Sequence, residues 1–225
     1  MQKIIARSLS DILSPIVLSF VLKIGFGSIF LWVILLWISW DYYAGMIAAY
    51  IQKIPYIGNM EWFQSGGAFF SALIIGYMLV IITISAFTSL FSETLLVKLA
   101  QKHYPSVSVV GSIDISTSII LTLKTGVIFA LVFLFTFPLL FIPVLGQIWM
   151  LWLWSILIKE PTVYDVGSLF IADKKVLKYK NTKSRVIALI ASLFNYIPLL
   201  NIFAPVFAQI LFLHHILGDK NKYTA

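Results

Sequence analysis

Cations and hydroxyls, rather than paired acids and bases, are the chemically capable side chains of this sequence. Lys23 lies inside a long apolar run. An ionisable group in such a run is costly in lipid and marks a functional site, unless its four-carbon stem snorkels to the headgroups. Arg7 sits on a short segment of helical period, where its planar guanidinium anchors a lipid phosphate or takes two oxygens of an oxyanion. Ser116, Thr117, Ser118, Thr122, Lys124 and Thr125 form a hydroxyl-rich run just before a strongly apolar one. Lys124 there faces an aqueous entry or marks the membrane boundary. Ser85, Ser89 and Ser92 recur at i, i+4 and i+7, so they share a helix face. That face lines a polar path or packs helices through small residues.

Several classes of chemistry are excluded. The three histidines are His103, His214 and His215, and no HExxH or phosphate-loop glycine motif accompanies them. His214 and His215 are adjacent, point to different faces of a helix and make a poor metal pair. No metal and no cofactor is expected. The absence of cysteine removes disulfides, thiolate metal sites and cysteine nucleophiles. The basic stretch 174–185 lies between apolar segments, so anionic lipid headgroups, not nucleic acid, are its natural partner. Trp149, Trp152 and Trp154 read as interfacial anchors.

The elements that must position these groups are set by lipid. The chain is 60% hydrophobic and 11% charged, against about 25% charged in a soluble domain. Residues 2–13 predict an amphipathic surface helix, with Ile4, Ile5, Leu9, Ile12 and Leu13 on its apolar face and Lys3, Arg7 and Asp11 away from it. Membrane-spanning helices are predicted over 16–40 and 67–91, the second projecting beyond the bilayer to His103. The first apolar run is too long for the core of a cleaved signal, which is roughly 7–15 residues.

Three breaks share one pattern: Ile54-Pro55-Tyr56-Ile57-Gly58, Ile142-Pro143-Val144-Leu145-Gly146 and Ile197-Pro198-Leu199-Leu200-Asn201. Proline interrupts the helix, and glycine or asparagine tolerates a left-handed turn. The last two breaks are flanked by apolar arms, predicting helical hairpins over 114–157 and 186–217 with tips at Pro143 and Gly146 and at Pro198 and Asn201. The arms 147–157 and 186–196, the first stopped by Pro161, span roughly 16 Å each. The hydrocarbon core is about 30 Å thick, so these hairpins penetrate part way, with their tips covered by protein or facing water. The expected fold is all-α: a single integral membrane domain over 1–225, with two long transmembrane helices and two re-entrant hairpins. Lys and Arg concentrate outside the 41–65 connection, which places both termini in the cytoplasm.

The run Phe137-Pro138-Leu139-Leu140-Phe141 with its Ile-Pro-x-x-Gly tip is followed by the Trp-rich arm, Tyr164-Asp165 and the basic stretch. Asn195-Tyr196 then precedes the second tip, and Ile202-Phe203-Ala204-Pro205-Val206 follows it. This succession resembles the CysZ-type sulfate permeases of the wider etoposide-induced membrane-protein family, in outline from about residue 4 to 217. The resemblance implies long spanning helices plus hemi-penetrating hairpins, assembly into homo-oligomers in a bacterial-type inner membrane, and sulfate uptake feeding sulfur assimilation. It also implies arginines near the start of the first long helix, where this chain has only Lys23. The expected function is a sulfate or related oxyanion permease rather than an enzyme, with Arg7, Lys23, Ser116 and Lys124 as substrate-binding residues. The alternative is a membrane scaffold or lipid-remodelling protein with no solute path.

The cysteine-free chain is a ready background for testing its topology. A single cysteine at Lys53 should react with an impermeant maleimide added outside right-side-out vesicles, and one at Lys183 only after the vesicles are opened. The reverse pattern would invert the orientation.

Overall fold

The computed structural model describes residues 1–56 and 58–218. Ile57 and the tail 219–225, with Lys220 and Lys222, lie outside the described residues. Among the described residues every regular element is helical: α1 (Gln2–Ile12), α2 (Pro15–Ile38), α3 (Trp40–Ile51), α4 (Glu61–His103), α5 (Ile115–Thr136), α6 (Leu145–Phe170), α7 (Lys174–Lys183), α8 (Arg185–Ser192) and α9 (Ala204–Gly218). Tight 3-10 turns at Phe137–Phe141, Leu193–Tyr196 and Leu200–Ile202 flank the two later breaks.

Three stretches are long and apolar enough to cross a membrane: Pro15–Ile38, Glu61–His103 and Ile115–Phe141. The third exceeds the two long helices expected: α5 alone has 22 residues, about 33 Å, and the turn Phe137–Phe141 lengthens the stretch to 27 residues. The leading arm of the 114–157 segment is therefore of full-span length. Arg185–Tyr196 and Ala204–Gly218 stay short, at roughly 18 and 22 Å.

The expected stop at Pro161 does not occur. Pro161 lies inside α6, which continues to Phe170. An interior proline costs about 3 kcal/mol. Beyond it Thr162, Val163, Asp165, Val166, Leu169 and Phe170 are all buried, and that packing outweighs the local preference. The arm 147–157 is thus the apolar half of a longer helix.

The chain divides into two compact units, Met1–Val21 with Phe87–Ala225, and Leu22–Ala86. In the larger unit Val17, Val21, Leu96, Leu99, Val166, Leu169, Ile187, Phe207 and Leu211 form a continuous core. Asp11 faces this interior and is buried, whereas Leu9 and Leu13 are exposed. The inward face of α1 therefore keeps Ile4, Ile5 and Ile12 of the expected apolar stripe but adds Ser8 and Asp11 in place of Leu9 and Leu13. The smaller unit is held by two hydrogen bonds between helices: Trp32 Nε1 donates to Thr83 Oγ1 at 2.8 Å, and the Tyr43 hydroxyl to Ser71 Oγ at 2.7 Å.

All three breaks use one backbone device. The amide of the fifth residue donates to the carbonyl of the isoleucine: Gly58 to Ile54 at 3.1 Å, Gly146 to Ile142 at 2.8 Å, and Asn201 to Ile197 at 3.1 Å. The left-handed residue is the one after proline, not the glycine or asparagine: Tyr56 (φ 70°), Val144 (φ 65°) and Leu199 (φ 70°). At the second break the Leu145 amide returns to the Pro143 carbonyl at 2.7 Å, closing a strained γ-turn over Val144. Gly146 is required by close approach instead. A Cβ there would stand 2.5 Å from the Leu140 carbonyl oxygen and 2.9 Å from its Cα.

These contacts predict opposite outcomes two residues apart. Gly146→Ala should cost about 1–3 kcal/mol by overpacking. Val144 is 71% exposed, so Val144→Gly relieves its strain without losing burial and should be neutral to about 1 kcal/mol stabilising. Thermal unfolding of both variants in detergent reads the contrast; equal behaviour would refute it.

Candidate functional site

Polar groups are brought together in the larger unit where α4, α5 and α6 meet. The Asp165 carboxylate accepts from Ser118 Oγ at 2.7 Å and from Ser89 Oγ at 2.9 Å. The two hydroxyls are also 3.1 Å apart. Asp165 is 2% exposed, and its hydrogen-bond donors are neutral hydroxyls rather than a cation. Burial pushes its carboxyl pKa up, and the two hydroxyl donors only partly oppose the rise. Of the serine face foreseen on α4, Ser89 makes this tie, Ser92 is buried, and exposed Ser85 bonds back to the Ile81 carbonyl.

The base of the apolar half of α6 carries a second group. Trp152, Ser155 and Lys159 share a helix face at i, i+3 and i+7. Arg185, the first residue of α8, donates to Ser155 Oγ at 3.2 Å, and its guanidinium lies 5.7 Å from the Trp152 ring centroid. Burial lowers the Lys159 ammonium pKa, the nearby Arg185 charge lowers it further, and Glu160 opposes both. Glu160 is itself engaged by Lys124 Nζ at 3.2 Å. Two half-buried cations, an indole and a hydroxyl thus share this region, and the carboxylate that acts on Lys159, Glu160, is shared with Lys124. Such a setting repels a third cation and favours an anion with several oxygens. Beside it, a surface cavity of about 210 Å³ is lined by Leu121, Glu160, Val163, Tyr164, Leu177 and Lys178, among others. The tips are adjacent too: the Tyr196 hydroxyl donates to the Gln147 carbonyl, and its ring lies 4.9 Å from that of Trp154.

The four residues singled out from sequence have separate settings and share no hydrogen-bond or ion-pair partner. Arg7 is exposed and reaches the Tyr104 hydroxyl at 3.4 Å. Lys23 is exposed on α2, in the smaller unit. Ser116 is exposed in the first turn of α5, its amide capped by Asp114 at 3.2 Å. Lys124 alone touches the α6 group, through Glu160. At the tips, Pro143, Val144, Pro198 and Leu199 are exposed, so this chain by itself does not cover them. In the sequence Lys159 stands just past an apolar arm and Arg185 closes a basic stretch. The Trp152–Ser155–Lys159 spacing was the available signal.

An all-helical chain with three membrane-length apolar helices, and polar side chains buried only where helices pack, is an α-helical membrane protein. It belongs to the sulfate transporter CysZ/etoposide-induced protein 2.4 family, whose model matches residues 4–205. Comparison with curated proteins and with solved structures finds no match. The family is one of transporters.

Asp165 yields a prediction with a definite sign. Its folded-state pKa is raised, so the native state holds the proton more tightly than the unfolded chain does. Stability is therefore lost as pH rises from the unfolded pKa through the folded one. Asp165→Asn should unfold at higher temperature than the parent at pH 7, with the gap closing toward pH 4. Asp165→Ala should cost about 1–3 kcal/mol, because Ser89 and Ser118 lose their acceptor. Thermal scans across this range test both; a gap that widens on acidification would contradict the assignment.

Proposed function

We propose that the chain is a permease or channel for sulfate or a related oxyanion, and that Lys159 and Arg185 beside Ser155 form part of its anion site. The single observation carrying this reading is that pair of half-buried cations, whose nearby carboxylate, Glu160, is already engaged by Lys124. A divalent anion is expensive to desolvate, and two fixed positive charges offset its charge. Arg185 adds a planar donor fork for two oxygens, and Ser155 adds a hydroxyl. Membership in a sulfate transporter family supports the substrate class. Lys124, Arg7 and Ser116 remain candidate contacts in the larger unit, Lys124 closest in connection through Glu160, and Lys23 remains a candidate in the smaller unit by itself.

In this reading the protein resides in a bacterial-type inner membrane with both termini cytoplasmic, works as a homo-oligomer and feeds sulfur assimilation. The segment 186–217 acts as a re-entrant hairpin, its arms being too short to cross. Oligomerisation would cover the exposed tips. A second reading, a scaffold that wedges lipid without passing solute, is favoured by the segment Ile115–Phe141, only 6% of whose most apolar window is buried in the chain.

Radiolabelled sulfate uptake into proteoliposomes decides between them. The parent should exceed empty vesicles, and Lys159→Gln and Arg185→Gln should each lower uptake at least about tenfold, about 1.4 kcal/mol at the site. Folded protein with no uptake would favour the scaffold. Uptake unchanged in both variants would keep the permease and move the site elsewhere, with Lys23→Gln the next to measure.

A further inference from the structure

The end of α4, the N-terminal helix and α9 meet at a second polar cluster, unconnected with the α6 cations. Asp11 on α1 is 1% exposed and His214 on α9 is fully buried. His214 Nε2 lies 2.8 Å from the Asp11 carboxylate, and His103 Nε2 at the end of α4 lies 2.8 Å from it as well. One ligand atom from each residue falls within 4.8 Å of the other two. His103 is 92 residues from Asp11 and His214 is 203, so this convergence is a product of the fold.

We infer that Asp11, His103 and His214 form a binding site for a divalent transition-metal ion of the zinc type. Two imidazoles and a carboxylate are a borderline donor set, and three such ligands leave a fourth position for water. The surroundings are those of a ligand sphere. His214 Nδ1 is 3.0 Å from the Tyr104 hydroxyl, which also receives Arg7 at 3.4 Å. With Nδ1–H donating to Tyr104, the lone pair of Nε2 is directed at the site. This outer hydrogen bond is the usual means of orienting a metal-bound histidine. In that tautomer a cation between Nε2 and the carboxylate satisfies both; in the other, Nε2–H itself donates to Asp11.

The proton is the competitor for that place, and the contacts show what a metal must change. Zinc arms of about 2.0–2.1 Å hold tetrahedral ligand atoms about 3.3 Å apart, so binding opens the 2.8 Å contacts by about half an ångström. Lys102 Nζ, 3.2 Å from Asp11, is a cation the metal must displace. Its side chain is half exposed and free to swing into solvent. Adjacent His214 and His215 remain unsuited as a pair; His214 finds its partners on α1 and α4 instead. Metal binding would clamp the N-terminal helix to the end of the longest helix.

Tag-free, full-length protein in detergent, stripped with a chelator, should be titrated with Zn²⁺ by calorimetry and with Co²⁺ by visible absorption. The expected result is one ion per chain, the absorption bands of a tetrahedral cobalt site, and a thermal midpoint that rises with metal concentration. His103→Gln keeps a donor toward Asp11 and should fold, but it should abolish the cobalt bands. Tyr104→Phe should weaken binding about 10–100-fold, and His215→Gln should leave it unchanged. Overturning results would be the absence of saturable binding to protein that melts cooperatively, or binding of parental affinity in His103→Gln. Neither result bears on sulfate uptake, so the two proposals stand or fall separately.

Discussion

Lipid supplies no hydrogen bonds, so each reversal of this chain inside an apolar stretch must close its own backbone. The two Ile-Pro-x-x-Gly/Asn breaks flanked by apolar arms meet that demand with a bond from the fifth residue's amide to the isoleucine carbonyl, and the break in the 41–65 connection makes the same bond. Proline removes one donor that would otherwise need a partner. The residue after it takes a left-handed conformation, which costs of order 1–3 kcal/mol in a non-glycine residue. That strain is smaller than the several kcal/mol an unpaired amide would cost in an apolar setting, so a break closed by this bond tolerates valine or leucine at the left-handed position. Glycine is reserved for the position where backbone meets backbone, as Gly146 does Leu140.

The same reasoning governs the buried polar groups. Apolar helices have little hydrophobic reason to choose one partner over another in lipid. Specific pairings come from hydrogen bonds that only one register satisfies. Asp165 fixes α6 against α4 and α5 through two serines. Asp11 fixes α1 against α4 and α9 through two histidines. Each carboxylate opposes burial, but each becomes far more costly if its helices slip and leave it buried without its donors. The clusters therefore act as register pins more than as sources of stability.

Local features were legible in the sequence. The all-helical membrane class and the three Ile-Pro-x-x-Gly/Asn breaks follow from apolar length and proline. What escaped depended on distance along the chain. Asp11 was assigned to the outer face of its helix because the residues that solvate it lie 92 and 203 positions away. Ser89 was legible as part of a face, yet its partner Asp165 is 76 residues on. Pro161 was read as a stop because local propensity says so, and the packing of Val163, Val166 and Leu169 overrules it. Lys159 and Arg185 were visible only as punctuation, since nothing in either segment alone discloses the other.

The continuation of α6 past Pro161 joins these observations. Had the helix ended at Glu160, its apolar half would be an isolated arm and Lys159 a frayed terminal cation. Because the following turns are packed into the core, Lys159 is held on a rigid face with Trp152 and Ser155, and Arg185 meets it from α8. Two like charges held near each other on rigid helices store repulsion that an anion relieves. The buried segment Pro161–Phe170 thus does more than fill the core. It transmits the fixed position of Asp165 along α6 to Lys159, about 1.7 turns away, so that the register pin and this part of the candidate anion site belong to one helix and one packing decision.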